Sequence, residues 1–202
     1  MNLAFFGGSF DPPHMGHENI IKICQEKFDN LLVIPNNVSP MKTDKPPISK
    51  FHRLNMIKLI IKNLNVKIDT FELDSKKINY TYHTIQYIKK KYIFDDLYMI
   101  IGKDQIENFN KWYRIDDILK DVKIICFNRD NFYRNEDLGI KIEFIPFDFP
   151  ISSSGIRKMI SNKLAIDEKL VNKNVIKYIK DNNRIHFTRI RNCMGKLHGY
   201  KL

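Results

Sequence analysis

Short β-branched runs alternate with helix-length amphipathic stretches along this chain, and that alternation restricts its fold more than any other feature. Residues 3–6 read as a buried strand running into two glycines, and a helical pattern follows over about 14–28. Residues 31–34 are a second strand, stopped by Pro35, and a loop rich in Pro, Asn and Ser occupies 36–49. A helix carries Phe51, Leu54, Ile57 and Ile61 at helical spacing, followed by a strand at 66–68. Tyr82, Ile85 and Ile88 mark a further helix before a strand at 97–101. A helical stretch at 106–119 precedes strands at 122–127 and 142–145, and helices start near Ser154 and Lys173. Strands separated by helices pair in parallel, because parallel neighbours need a crossover. Right-handed crossovers place the helices on both faces. The expected fold is α/β, a doubly wound Rossmann-like parallel sheet, in one domain over residues 1–185 with a basic tail at 186–202. Ligands of such sheets sit beyond the carboxyl ends of the strands, where the strand order reverses. The 36–49 loop is long enough to be a lid or substrate loop.

A net charge of +11 favours anionic ligands. The lysines are spread along the whole chain and no aromatic–basic surface motif interleaves them, so no nucleic-acid partner is expected. Only the stretch from Arg184 to Leu202, with Arg184, Arg189, Arg191, Lys196 and Lys201, concentrates basic residues. The longest apolar runs, such as residues 98–101, are strand-sized, and the start lacks the shape of a signal peptide. No membrane partner is expected. Cys24, Cys126 and Cys193 are scattered without zinc-ligand spacing, which reads as reduced thiols in a cytoplasmic protein. A homo-oligomer is compatible with all of this.

Residues 7–17, GGSFDPPHMGH, carry the chemistry. Gly7 and Gly8 let the backbone approach a ligand with its N–H groups outward. Pro12 and Pro13 fix the approach to a helix start. His14 and His17, three apart, share one face of the first turn, and Gly16 keeps that surface open. The helix N-terminus adds positive potential. Together these make an anion cradle with two imidazoles, suited to a polyphosphate. The lack of a third ligand nearby argues against a protein-held metal. Residues 150–157, PISSSGIR, follow the last strand. Serines at a helix start are ordinary caps. Three in a row, closed by Arg157 one turn later, also form a phosphate grip, because a guanidinium fork matches phosphate oxygens.

GGSFDPPHMGH resembles the GGxFDPxHxGH signature of the nucleotidyltransferase superfamily, whose HxGH element is shared with class I aminoacyl-tRNA synthetases. ISSSGIR is similar to the superfamily's ISSTxIR motif, with Ser154 for threonine. The fuller pattern resembles the bacterial-type nicotinate-nucleotide adenylyltransferases over roughly residues 1–185, including a C-terminal helix around Val175, Tyr178 and Ile179. The resemblance implies transfer of the adenylyl group of ATP to nicotinate mononucleotide, with pyrophosphate released. It implies His14, His17, Lys42 and Arg157 as catalytic groups at the phosphates. Gly8, Ser9 and Phe10 would line ATP, Gly102 and Asp104 would lie near its ribose, and Ile151 near its adenine. Ser152 and Ser153 would join Arg157 on the β and γ phosphates. Ser9 and Lys42 would also meet the mononucleotide, with Thr84 from an SYTxT-like segment, Trp112 and Tyr113 from a KWY segment, and Arg129. The indole of Trp112 can stack on a pyridine ring or fill core.

Two positions depart from the family pattern. Met41 stands where PHK has histidine, and Asn128-Arg129-Asp130 replace RPG. Mg²⁺ is expected on the leaving pyrophosphate, held mainly by phosphates and water. Nicotinamide mononucleotide and phosphopantetheine are alternative acceptors, and a basic nucleic-acid-binding module is the alternative from another class. The adenylyl-transfer reading requires the two histidines and the serine–arginine turn to converge in space.

Overall fold

The computed structural model describes residues 1–38, 47–75, 78–128 and 142–182. Its strands are β1 (Asn2–Gly8), β2 (Asn30–Pro35), β3 (Lys67–Ile68), β4 (Asp96–Gly102), β5 (Lys123–Asn128) and β6 (Ile142–Pro146). The helices are α1 (Met15–Lys27), α2 (Lys50–Ile60), α3 (Phe71–Asp74), α4 (Thr81–Lys91), α5 (Lys103–Ile106), α6 (Ile115–Asp121), α7 (Ser153–Ser161) and α8 (Lys173–Asp181), with a 3₁₀ turn at Phe109–Lys111. The sheet runs β3-β2-β1-β4-β5-β6, and every pairing is parallel. The order reverses between β1 and β4, so Gly8 and Gly102 end neighbouring strands at the switch point.

Period-two alternation feeds two cores. Ala4, Phe6, Leu31, Val33, Ile100, Ile125 and Phe127 face one side, where Ile21 of α1, Met56 of α2, Ile156 of α7 and Val175 of α8 cover them. Leu3, Phe5, Leu32, Ile34, Met99, Ile101 and Ile124 face the other, under Ile85 and Ile88 of α4, Ile106 of α5 and Ile118 of α6. This is the expected doubly wound sheet in a single domain. A strand buried on both faces reads as a continuous apolar run, as residues 3–6 do.

Three expectations need correction, and one short helix went unread. Pro35 is the last residue of β2, paired with Gly8, rather than a stop beyond it. The stretch 106–119 is not one helix: α5, the 3₁₀ turn and α6 are separate, and Arg114 interrupts them with a left-handed φ of 56°. α3 carried no periodic signal, being four residues long. In α2 the buried residues are Arg53, Met56, Ile57 and Ile60, whereas Phe51 is 63% exposed. The spacing of Phe51, Leu54, Ile57 and Ile61 gave no sign that Arg53 would be buried. The tail at 186–202 and Cys193 lie outside the described residues.

Candidate active site

The β1–α1 loop is shaped by a buried aromatic ring. Phe10 has a positive φ of 49° and is 1% exposed, its ring edge-on to Phe6 at 5.6 Å. A Cβ on Gly8 would lie 3.2 Å from that ring. Gly8 therefore also makes room for Phe10 in the core, a packing role beside the ligand approach expected of it. The Phe10 side chain faces inward, so the ATP contact expected of this residue could be made only by its backbone.

At the start of α1 four rings follow one another in contact. Phe149 lies parallel to His14 at 5.2 Å, His14 meets His17 at 3.8 Å, and His17 meets Phe10 at 5.0 Å. Gly16 permits this: a Cβ there would lie 2.7 Å from Phe149 Cδ1 and 2.9 Å from His14 Cε1. The surface that Gly16 was expected to keep open is thus filled by Phe149 and His14. His17 Nδ1 accepts the His14 backbone N–H at 3.2 Å. That bond puts the proton of a neutral His17 ring on Nε2. Desolvation lowers His14 to about 4. Desolvation, reinforced by the neighbouring His14, holds His17 well below the usual imidazole range. Both rings are therefore neutral at physiological pH, and each offers one N–H. His14 Nδ1 is buried without a protein partner.

The serine–arginine turn reaches the same loop. Ser153 Oγ donates to the Pro12 carbonyl at 2.9 Å. Arg157 Nη1 donates to the Asp11 carbonyl at 2.5 Å and lies 3.5 Å from Asp11 Oδ2, while Nη2 reaches Ser154 Oγ at 2.9 Å. Ser152 caps α7, accepting the Gly155 N–H at 3.3 Å. Accepting leaves the Ser152 O–H as a donor, whereas Ser153 has already committed its proton. A Cβ on Gly155 would lie 2.8 Å from Ile151 Cγ1, so Gly155 lets Ile151 fold onto the helix start. The two motifs converge as the sequence required.

Of the remaining predicted residues, Thr84 lies in the first turn of α4, Trp112 and Tyr113 follow the 3₁₀ turn, and Gly102, Asp104 and Ser9 lie at the ends of β4 and β1. Thr84 is 1% exposed, and its hydroxyl donates to Glu72 Oε1 at 2.6 Å. Burial raises the Glu72 carboxyl to about 7 against the opposing pull of the Thr84 bond. Trp112 packs edge-on against Phe109 at 4.9 Å on the rim of the second core, so part of its indole serves packing. Tyr113 is 48% exposed and lies 5.0 Å from Tyr80 and 5.8 Å from His83. The Arg114 guanidinium sits 4.3 Å over the Tyr82 ring and pairs with Asp117 at 2.6 Å. Asp104 is exposed at the end of β4, with Oδ1 2.9 Å from where a Gly102 Cβ would stand. Ser9 is half-buried, and its carbonyl accepts from Arg53. Lys42, Met41 and Arg129 lie outside the described residues.

Sequence reasoning missed Phe149, Arg53 and Glu72. The aromatic just before the serine run was a visible signal for Phe149. Glu72 and Arg53 gave none, because each is defined by partners remote in sequence. Among the described residues no group of three or more His, Cys, Asp or Glu side chains could hold a metal, and no helix is long and apolar enough to cross a membrane. Cys24 and Cys126 are buried free thiols.

Comparison with known proteins joins this geometry to a family. Residues 5–159 match the cytidylyltransferase-like family. Nicotinate-nucleotide adenylyltransferase of Bacillus subtilis is 33% identical over 183 residues, which is 89% of this chain and 96% of that protein. A probable nicotinate-nucleotide adenylyltransferase of Acholeplasma laidlawii is 36% identical over 185 residues, 88% of this chain and 94% of that protein. The fold is shared with Plasmodium falciparum nicotinic acid mononucleotide adenylyltransferase complexed with NaAD, at a TM-score of 0.78 and 23% identity, covering 93% of this chain and 98% of that one. With its two sequence motifs bonded to one another through Asp11 and Pro12, this chain belongs to the cytidylyltransferase-like nucleotidyltransferases, within the nicotinate-nucleotide adenylyltransferase family.

Proposed function

We propose that this chain transfers the adenylyl group of ATP to nicotinate mononucleotide, forming nicotinate adenine dinucleotide and pyrophosphate for NAD biosynthesis. The observation that carries the reading is the neutral histidine pair beside the Asp11–Pro12 backbone that Ser153 and Arg157 hold. The attacking group is the mononucleotide's own phosphate, whose second pKa of about 6 leaves it largely ionised at neutral pH. The reaction therefore needs no general base. Rate enhancement comes from aligning the two phosphates and from hydrogen bonds that tighten as charge shifts to the leaving pyrophosphate. Nε2–H of His17 and the N–H of His14 suit that role because neutral imidazoles donate without titrating at physiological pH. Lys42 and Arg157 add charge in this reading.

Mg²⁺ enters as part of the ATP substrate. Imidazole, hydroxyl and guanidinium donors suit phosphate oxygens, so the hard cation is left to the phosphates and water. When bound it neutralises charge on the leaving pyrophosphate. Ser9, Thr84, Trp112, Tyr113 and Arg129 would form the mononucleotide side, and Gly102 and Asp104 the ribose side. ATP and the mononucleotide are the partners proposed, in a cytoplasmic setting that suits the free thiols of Cys24 and Cys126.

Pyrophosphate release with ATP and each of nicotinate mononucleotide, nicotinamide mononucleotide and phosphopantetheine tests this. The nicotinate form should give the highest kcat/KM. Faster turnover with either rival would reassign the acceptor, and turnover with none would remove the activity.

A further inference from the structure

Arg53 brings a permanent charge into the core, 1% exposed. A buried ion is strongly unfavourable unless its protons are taken up by acceptors. Burial lowers the guanidinium to about 10 against the opposing attraction of Asp11, which still leaves it charged at neutral pH. Its hydrogen-bond acceptors among the described residues are all backbone carbonyls. Nη1 donates to Ser9 at 2.8 Å and to Asn36 at 2.7 Å, Nη2 to Asn37 at 3.2 Å, and Nε to Ile48 at 3.1 Å.

Ser9 follows β1 and Asn36 follows β2, at the carboxyl edge of the sheet. The two loops are also joined by the Asn36 N–H, which donates to the Gly8 carbonyl at 2.9 Å. A trans peptide unit is planar, so a carbonyl aimed at Arg53 aims the next residue's N–H the opposite way. The N–H groups of Phe10, Asn37 and Val38 therefore point away from the buried cation. Beside them Asn36 Oδ1 is buried without a partner, a polar atom the fold leaves unsatisfied.

We propose that Arg53 is a positioning residue that turns the Phe10, Asn37 and Val38 N–H groups outward as donors to nucleotide phosphate and backs them with its charge. This rests on the phosphate site read above at the β1–α1 loop. A core ion serving packing alone could be replaced by an apolar side chain of similar shape. A positioning ion cannot, because three peptide units lose their aim together.

Arg53→Lys keeps the charge but loses the planar fork that spans the carbonyls. It should lower kcat about tenfold or more and raise the KM for ATP, with a melting temperature close to the parent's. Arg53→Met should lose more on both kinetic counts. A folded Arg53→Lys with kcat and both KM values within twofold of the parent overturns the proposal. Should both variants fail to fold, amide exchange of the wild-type chain decides. A non-hydrolysable ATP analogue with Mg²⁺ and nicotinate mononucleotide should slow exchange at Phe10, Asn37 and Val38. Unchanged exchange with the analogue bound overturns the proposal. Analogue binding is measured without turnover, so loss of the assigned acceptor reaction would not be confused with loss of this role.

Discussion

At the end proposed for the triphosphate, Ser153 and Arg157 are bonded to peptide units 141 and 146 residues away, and a run of four rings in contact packs around both histidines. At the end proposed for the mononucleotide, Tyr80 and Tyr113 are exposed, Trp112 is held by one edge, and a single buried bond joins Thr84 to Glu72. The first end is organised before any ligand arrives, and the second leaves apolar surface for a ring to cover. Charge stabilisation gains from fixed dipoles that need no reorganisation. Recognition of a flat heterocycle gains from exposed aromatic faces. The two ends differ because their tasks differ.

His17→Ala should have the largest effect, cutting kcat about a hundredfold or more, as for loss of a transition-state donor. Pyrophosphate release at saturating substrates measures it, and a rate within threefold of the parent would break the contrast between the two ends. Trp112→Ala should raise the mononucleotide KM about tenfold, the scale of one lost ring stack, and leave the ATP KM nearly unchanged. Equal rises in both KM values would assign Trp112 to packing against Phe109.

Glu72→Gln should alter the mononucleotide KM about threefold at neutral pH, a change of under 1 kcal/mol. In the parent that KM should climb as pH rises through about 7, where Glu72 gains a charge unfavourable to an anionic substrate. The glutamine variant should lack that step, and a step retained in it would clear Glu72.

The smallest effect sharpens the comparison through pH. Both histidines are held below their unfolded value of 6.5, so the stability they contribute is present above pH 6.5; the His14 share is lost as pH falls through about 4, and burial likewise holds His17 well below 6.5. Glu72 is raised above its unfolded 4.5, so its contribution is full below pH 4.5 and lost as pH rises through about 7. Each slope is about 1 kcal/mol per pH unit. Urea titrations of the parent and Glu72→Gln across pH 5 to 8 should show the variant gaining relative to the parent as pH rises. A constant difference would mean Glu72 does not titrate in that window.

Much of the fold was legible because strands and long helices carry periodic signals. All six strands were found, and the motifs at residues 7–17 and 150–157 marked the site. Legibility failed where the deciding partner is remote. The break at Arg114 depends on one left-handed residue inside an otherwise helical pattern. α2 turns Arg53 inward without any sign of it in the hydrophobic spacing, because four carbonyls from neighbouring loops await its donors. Gly8 and Gly16 looked like open approaches, yet rings from Phe10, His14 and Phe149 occupy the space their missing side chains leave.

By itself the sequence determined the order of the strands, the longer helices between them and the chemical types at the candidate site. Backbone preference and side-chain periodicity are local and can be read from neighbours. Tertiary structure alone decided that His14 and His17 are neutral, that Ser153 spends its proton on Pro12, and that Glu72 titrates near 7. Those properties follow from desolvation and hydrogen-bond geometry, which depend on groups far along the chain that only folding brings close.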